Sequence, residues 1–191
     1  MDIKKIIEEN LNAFQKFNNL KYERFQSLVT NSSVKKVINA IPALLSANDR
    51  KLPGFVEGGP PCGVFGFSPD QDVVRYLKSR FSVDFSRCSG GDFVQMFAVM
   101  GSVGTIGYNK KSDFDYWACI DRQKVDDRKY QLFCKKVEEI QKWAIKESGV
   151  EVHIFINDIN SLRENVFAED EDEGFGSTVG GQACHREQSR S

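Results

Sequence analysis

Two carboxylates, Asp113 and Asp115, follow the pair Gly101-Ser102 with ten residues between. The stretch reads Val99-Met100-Gly101-Ser102-Val103-Gly104-Thr105-Ile106-Gly107-Tyr108-Asn109-Lys110-Lys111-Ser112-Asp113-Phe114-Asp115-Tyr116-Trp117. An apolar strand ends in a Gly-Ser turn, a short polar segment follows, and a second apolar strand opens with the two acids. Side chains at i and i+2 of a strand share a face, so Asp113 and Asp115 project together. Convergent carboxylates make a hard oxygen site suited to Mg²⁺. A Gly-Ser turn lets backbone N–H groups approach a phosphate closely. The combination suits chemistry at a nucleoside phosphate.

A third acid is a candidate for the same site. Val150 to Asn157 alternates with period two. Val150, Val152, Ile154 and Ile156 share one face; Glu151, His153 and Phe155 share the other. A charge at the head of an apolar strand is costly unless it is paired, at an edge or on a metal. Beside the Asp pair, Glu151 would complete a three-carboxylate site for two Mg²⁺ ions ~3.5–4 Å apart. One ion would lower the pKa of an attacking hydroxyl; the other would hold a triphosphate and steady the leaving pyrophosphate. Blander readings stand beside each of these. Alternating acids also mark the solvated face of a sheet. Glu151 is also read as a surface carboxylate, and His153 as a packed or hydrogen-bonded histidine rather than a base. Lys110 and Lys111 either neutralise phosphate charge or are solvated turn lysines.

The elements that must position these residues follow from periodicity. Ile3, Ile6, Ile7, Leu11, Phe14 and Phe17 lie at helical spacing on one stripe. Tyr22, Phe25, Leu28 and Val29 form a further helical piece. Val34, Val37, Ile38, Ile41, Leu44 and Leu45 repeat the pattern behind the caps of Asn31-Ser32-Ser33. Residues 1–50 are therefore expected to be an N-terminal helical region whose stripes make core contacts. Four of the five prolines lie between 53 and 69, in a turn-rich loop or linker without the Gly-Lys-Ser/Thr ending of a P-loop. Ser68-Pro69-Asp70-Gln71 supplies an N-cap, a proline at N1 and a Gln at N3 for a short helix. Phe93 to Met100 reads as a buried strand, Phe114 to Ile120 as a second, and 124–148 as a long helix ended by Gly149. The expectation is an α+β core over 51–168. From Glu169 five adjacent acids open a polar tail, 169–191, expected to be disordered and dispensable for the fold.

Composition bounds the rest. The chain has 191 residues, 40% hydrophobic and 28% charged, as in a soluble globular domain. A formal net charge of −1 gives no long-range attraction to nucleic acid or anionic membrane. No run approaches the ~18 apolar residues of a membrane span. The amphipathic, acid-containing N-terminus is not a signal peptide. Five scattered cysteines form no CxxC pair, so neither zinc nor a disulfide framework is indicated, and a reducing cytoplasm is the expected setting.

The spacing of the Gly-Ser pair and the Asp-x-Asp strand resembles the signature of the nucleotidyltransferase superfamily typified by DNA polymerase beta. More narrowly, the chain resembles the class I adenylate cyclases of bacteria. The resemblance is carried by Ile41-Pro42-Ala43-Leu44-Leu45, Leu52-Pro53-Gly54-Phe55, Gly63-Val64-Phe65-Gly66-Phe67-Ser68-Pro69-Asp70 and Met100 to Gly107. It continues through Lys111 to Trp117, Trp143-Ala144, Gly149-Val150-Glu151-Val152 and Gly176-Ser177-Thr178. It implies a nucleotidyltransferase-like fold, ATP as partner, and cyclisation to cyclic AMP with release of pyrophosphate. It also implies that Gly101 and Ser102 bind the triphosphate and that Asp113, Asp115 and, more loosely, Glu151 hold Mg²⁺ as the catalytic set. The family pattern continues well past Gly-Ser-Thr, whereas Val179 onward departs from it. The expectation is a truncated N-terminal catalytic region with weak or absent turnover. Two other readings stay open: a transferase moving a nucleoside monophosphate to an acceptor hydroxyl, and a non-catalytic nucleotide-binding fragment.

Overall fold

The computed structural model describes residues 2–85, 91–103, 105, 107–109 and 112–164. The tail from 169, and Gly104, Lys110 and Lys111 in the loop before Asp113, lie outside the described residues. Helix α1 runs Ile3–Leu28, with Asp2 accepting from the Lys4 N–H as its cap. The two helical pieces expected here are one helix, because Asn18-Asn19-Leu20-Lys21 between them holds no Gly or Pro to break it. Helix α2 (Ser32–Leu45) begins where the Asn31 side chain accepts from Ser33 and Val34 N–H. Helix α3 (Gln71–Phe81) is capped by Asp70, whose carboxylate accepts from Val73 N–H at 2.7 Å, and not by Ser68. The carboxylate sits one residue before the first helical turn and reaches the N3 amide.

Strands β1 (Val94–Val99), β2 (Phe114–Ile120) and β3 (Val152–Asp158) form one sheet in that order. β1 pairs antiparallel with β2, and β2 pairs parallel with β3. The crossover between β2 and β3 is helix α4 (Asp127–Ser148), as parallel pairing requires a long connection. α4 starts three residues later than its periodicity suggests. Asp121 first caps a short 3₁₀ turn at Arg122–Lys124, and Asp126 then caps α4. Gly149 ends it in the left-handed conformation, as expected. A short helix α5 (Ile159–Arg163) closes the described chain.

The helices cover one face of the sheet. Val37, Ile41, Leu44 and Leu45 of α2 and Phe133, Val137, Ile140 and Ala144 of α4 are buried against Phe114, Tyr116, Ala118, Val152 and Ile154. Fully burying a side chain such as Phe133 or Phe114 contributes roughly 1.5–3 kcal/mol. β1 departs from the expected buried strand: Val94 is buried, while Met96 and Val99 are exposed. The reason is its position at the sheet edge, where, among the described residues, Val64 alone adds a bridge, to Val94. The stripe of α1 departs as well. Phe25 is buried and packs edge-on to Phe114 at 6.2 Å, yet Ile3, Ile7, Leu11, Phe14 and Phe17 of the same stripe are exposed.

The proline-rich segment is an ordered loop held by a buried lysine. Lys136 on α4 donates from Nζ to the carbonyls of Ala47 (2.5 Å) and Gly54 (3.0 Å). Burial pushes its ammonium down to a pKa of about 8. Gly54 has φ 78°, and a Cβ there would lie 2.4 Å from Ile140 Cγ1, so glycine is required both by conformation and by space.

Candidate functional site

Strand alternation sends Tyr116 into the helical side and leaves Asp115 on the opposite face. Phe114, fully buried between Asp113 and Asp115 in sequence, fixes that phase: a one-residue slip would bury the carboxylates. Asp115 is half-buried on β2, and Asp113, just before the strand, is exposed. The parallel register then sets His153 of β3 directly opposite Asp115. Asp113, Asp115 and His153 each offer a ligand atom, and these atoms all lie within 4.8 Å of one another. Two ligands on opposite sides of one ion at ~2.1 Å are about 4.2 Å apart, so small side-chain rotations bring the three onto a single cation. Two carboxylate oxygens and one imidazole nitrogen are a donor set that fits a divalent metal.

Glu151 does not belong to that cluster. It lies one residue before β3, where its carbonyl accepts from Phe114 N–H at 3.0 Å. Its side chain is 70% exposed, and its carboxylate stands 3.7 Å from His153 Nε2. The expected third carboxylate therefore borders the Asp pair by way of the histidine ring.

Burial, and then the neighbouring Asp113, push the Asp115 carboxyl above the usual carboxylate range, while His153 pulls it back.

The Gly-Ser turn adjoins the same place. Met100 N–H donates to the Asp115 carbonyl at 2.7 Å, so the turn starts on the rung of the ladder that holds Asp115. Gly101 has φ 78° with nothing near a notional Cβ, so conformation alone calls for glycine. The Ser102 carbonyl accepts from Thr105 N–H (2.9 Å) and from Thr105 Oγ1 (2.6 Å). Ser102 Oγ reaches Ser112 Oγ at 3.5 Å, which ties the turn to the residue before Asp113. The structure thus brings Gly101, Ser102, Asp113 and Asp115 together.

A sizeable cavity lies elsewhere. About 650 Å³ lies on the helical side between α1, α2 and β1, lined by residues including Phe14, Phe25, Phe97 and Tyr116. The buried Tyr116 hydroxyl has no hydrogen-bond partner among the described residues. The sequence alone marks His153 as a packed or hydrogen-bonded histidine and assigns Lys136 no role. The signal for Lys136 was there: it sits three residues from Phe133 and four from Ile140, on the apolar stripe of α4.

Residues 7–180 match the family model of the adenylate cyclase NT domain. Among curated proteins, the adenylate cyclase of Yersinia pestis is 30% identical over 154 residues, covering 78% of this chain and 17% of that protein. That of Salmonella typhimurium is 29% identical over 135 residues, covering 69% and 16%. That of Escherichia coli K12 is 28% identical over 135 residues, with the same coverage of 69% and 16%. The chain spans about a sixth of the length of these relatives. No solved structure matches it. Among the described residues no helix is long and apolar enough to cross a membrane.

Proposed function

Because this chain belongs to the adenylate cyclase NT domain family, we propose that it carries the metal- and phosphate-binding part of a centre that cyclises ATP. The observation that carries the reading is the cluster of Asp113, Asp115 and His153 beside the Gly101-Ser102 turn. The reaction joins the ribose 3′-oxygen to the α-phosphorus, breaks the bond to the bridging oxygen of the β-phosphate, and releases pyrophosphate and the 3′-hydroxyl proton. Backbone N–H groups at Gly101 and Ser102 hold the triphosphate. Asp113 and Asp115 hold a divalent cation, and Glu151 stands as the third carboxylate behind them. When bound, Mg²⁺ in a two-ion arrangement neutralises the phosphates and acidifies the attacking hydroxyl. The sheet, with the Gly-Ser turn after β1 and the acid pair opening β2, supports a nucleotidyltransferase-like core over 51–168 behind the helices of 1–50. The net charge of −1 gives no long-range attraction to nucleic acid, the family supports ATP as partner, and the five scattered cysteines support a cytoplasmic setting.

Asp113 is exposed and Asp115 only half-buried, so bulk water reaches the carboxylates. Slow turnover is therefore expected of the chain alone. Incubation with each of the four nucleoside triphosphates and a divalent cation, followed by separation of products, tests the reading. Cyclic AMP formed from ATP alone is the expected product. A nucleoside monophosphate on an acceptor hydroxyl would turn the reading to a transferase. Absence both of product and of cation-dependent ATP binding would overturn it.

A further inference from the structure

We propose that His153 is the third ligand to the cation held by Asp113 and Asp115, and that its imidazole turns this site toward Mn²⁺ at the expense of Mg²⁺. The inference rests on the carboxylate pair being a metal site, and goes beyond that reading by naming what selects the ion.

The geometry is particular to His153. Its Cα partner across the β2–β3 ladder is Asp115, and its ring nitrogen lies within 4.8 Å of the ligand oxygens of both aspartates. The ring is held on two sides. Phe155, two residues on, is stacked at 6.3 Å between centroids. The Glu151 carboxylate stands 3.7 Å from Nε2. A carboxylate behind a ligating histidine is the usual outer partner that orients the ring. Glu151 then acts through the histidine, as a positioning residue, which accounts for a carboxylate near the metal ligands but outside their cluster.

The choice of ion follows from the donor set. Mg²⁺ favours oxygen ligands at 2.0–2.1 Å in near-ideal octahedra and gives up water reluctantly. An imidazole in place of a third oxygen favours first-row transition ions, of which Mn²⁺ also accepts carboxylates readily. In a two-ion arrangement, Mg²⁺ travels with the triphosphate, and the ion seated by the protein is the one His153 selects.

The test is binding of Mn²⁺ alone to the full chain without nucleotide, read from the electron paramagnetic resonance signal of free Mn²⁺, with Mg²⁺ as competitor. Mn²⁺ is the cleaner probe because thiolates prefer softer ions, and the described chain carries free Cys62, Cys119 and Cys134. The wild-type chain should prefer Mn²⁺ over Mg²⁺ by about tenfold or more. His153→Gln supplies an amide oxygen instead. It should weaken Mn²⁺ binding by about tenfold and change Mg²⁺ binding by less than about threefold. His153 is half-exposed, so the variant should keep the wild-type circular dichroism spectrum and melting temperature. Asp115→Asn should lose both ions. If the wild type shows no preference, or His153→Gln shifts both ions equally, the role of the histidine is overturned while the carboxylate site stands. If neither ion binds the wild type, both readings fall.

Discussion

Asp115 and His153 face each other across the parallel β2–β3 ladder, although 38 positions separate them in the chain. Helix α4 makes that pairing. Its buried stripe packs the crossover onto the sheet and sets the register in which Phe114 meets Val152 and Asp115 meets His153. The chemistry of the site face therefore depends on packing at the helix-covered one.

Asp115 should cost the metal-free fold stability rather than add to it. Its folded pKa is raised, so the folded state holds the proton more tightly than the unfolded one. Stability attributable to this group rises as pH falls through the raised value toward ~3.9, and is absent above it. Asp115→Asn in EDTA should melt no lower than the wild type at neutral pH. It should also lose the rise in melting temperature that a divalent cation gives the wild type. A clear drop in melting temperature without metal would show that the carboxylate is a structural partner instead.

Lys136 should give the stability curve a signature at alkaline pH. Its pKa falls from 10.5 to about 8 on folding. The unfolded chain thus binds more protons between those values, and stability from this group climbs as pH rises through the window. The full penalty, on the order of 3 kcal/mol, is present below pH ~8. Urea unfolding of wild type and Lys136→Met at several pH values between 7.5 and 10.5 measures the difference. The variant should lack the climb; parallel curves would show that Lys136 is not perturbed. Independently, the Ala47 and Gly54 carbonyls lose their donor in the variant, at about 1–3 kcal/mol each.

Gly54→Ala should destabilise the chain by roughly 1–3 kcal/mol, from left-handed backbone strain plus overpacking against Ile140. The urea midpoint should move down with an unchanged slope. An unaltered midpoint would mean that the Leu52-Pro53-Gly54-Phe55 loop is free to move off α4.

The apolar stripe of α1 should divide sharply in its effect on stability. Phe25 is 7% exposed and Phe17 55%. Phe25→Ala should cost about 3–5 kcal/mol, as for a buried aromatic, and Phe17→Ser should fall within about 0.5 kcal/mol of wild type. Equal losses by thermal unfolding would place the N-terminal half of α1 in the core after all.

What could be read from the sequence follows the range over which each interaction acts. β2 is legible to the residue, because apolar alternation and the Ser112-Asp113 polar edge are local. The start of α4 is displaced because two caps, Asp121 and Asp126, compete within five residues, and periodicity does not say which wins. The exposure of Met96 and Val99 depends on which strand lies at the edge, a fact of topology. Asp113 and Asp115 were recognisable because two acids at i and i+2 need no tertiary information to share a face. The place of His153 beside them needed the parallel register, which no local pattern carries. Lys136 was within reach, since a lysine inside an apolar helical stripe must find buried acceptors.

ATP binding with and without divalent cation, measured by isothermal titration on the wild type and on Asp113→Asn and Asp115→Asn, is the most direct measurement. The wild type should bind ATP with Mg²⁺ or Mn²⁺ present and at least about tenfold more weakly in EDTA. Each variant should bind no better with the cation than the wild type does without it, a loss of ~1.4 kcal/mol or more. Equal ATP affinity in all three proteins, indifferent to EDTA, would contradict a metal-dependent nucleotide site at Asp113 and Asp115.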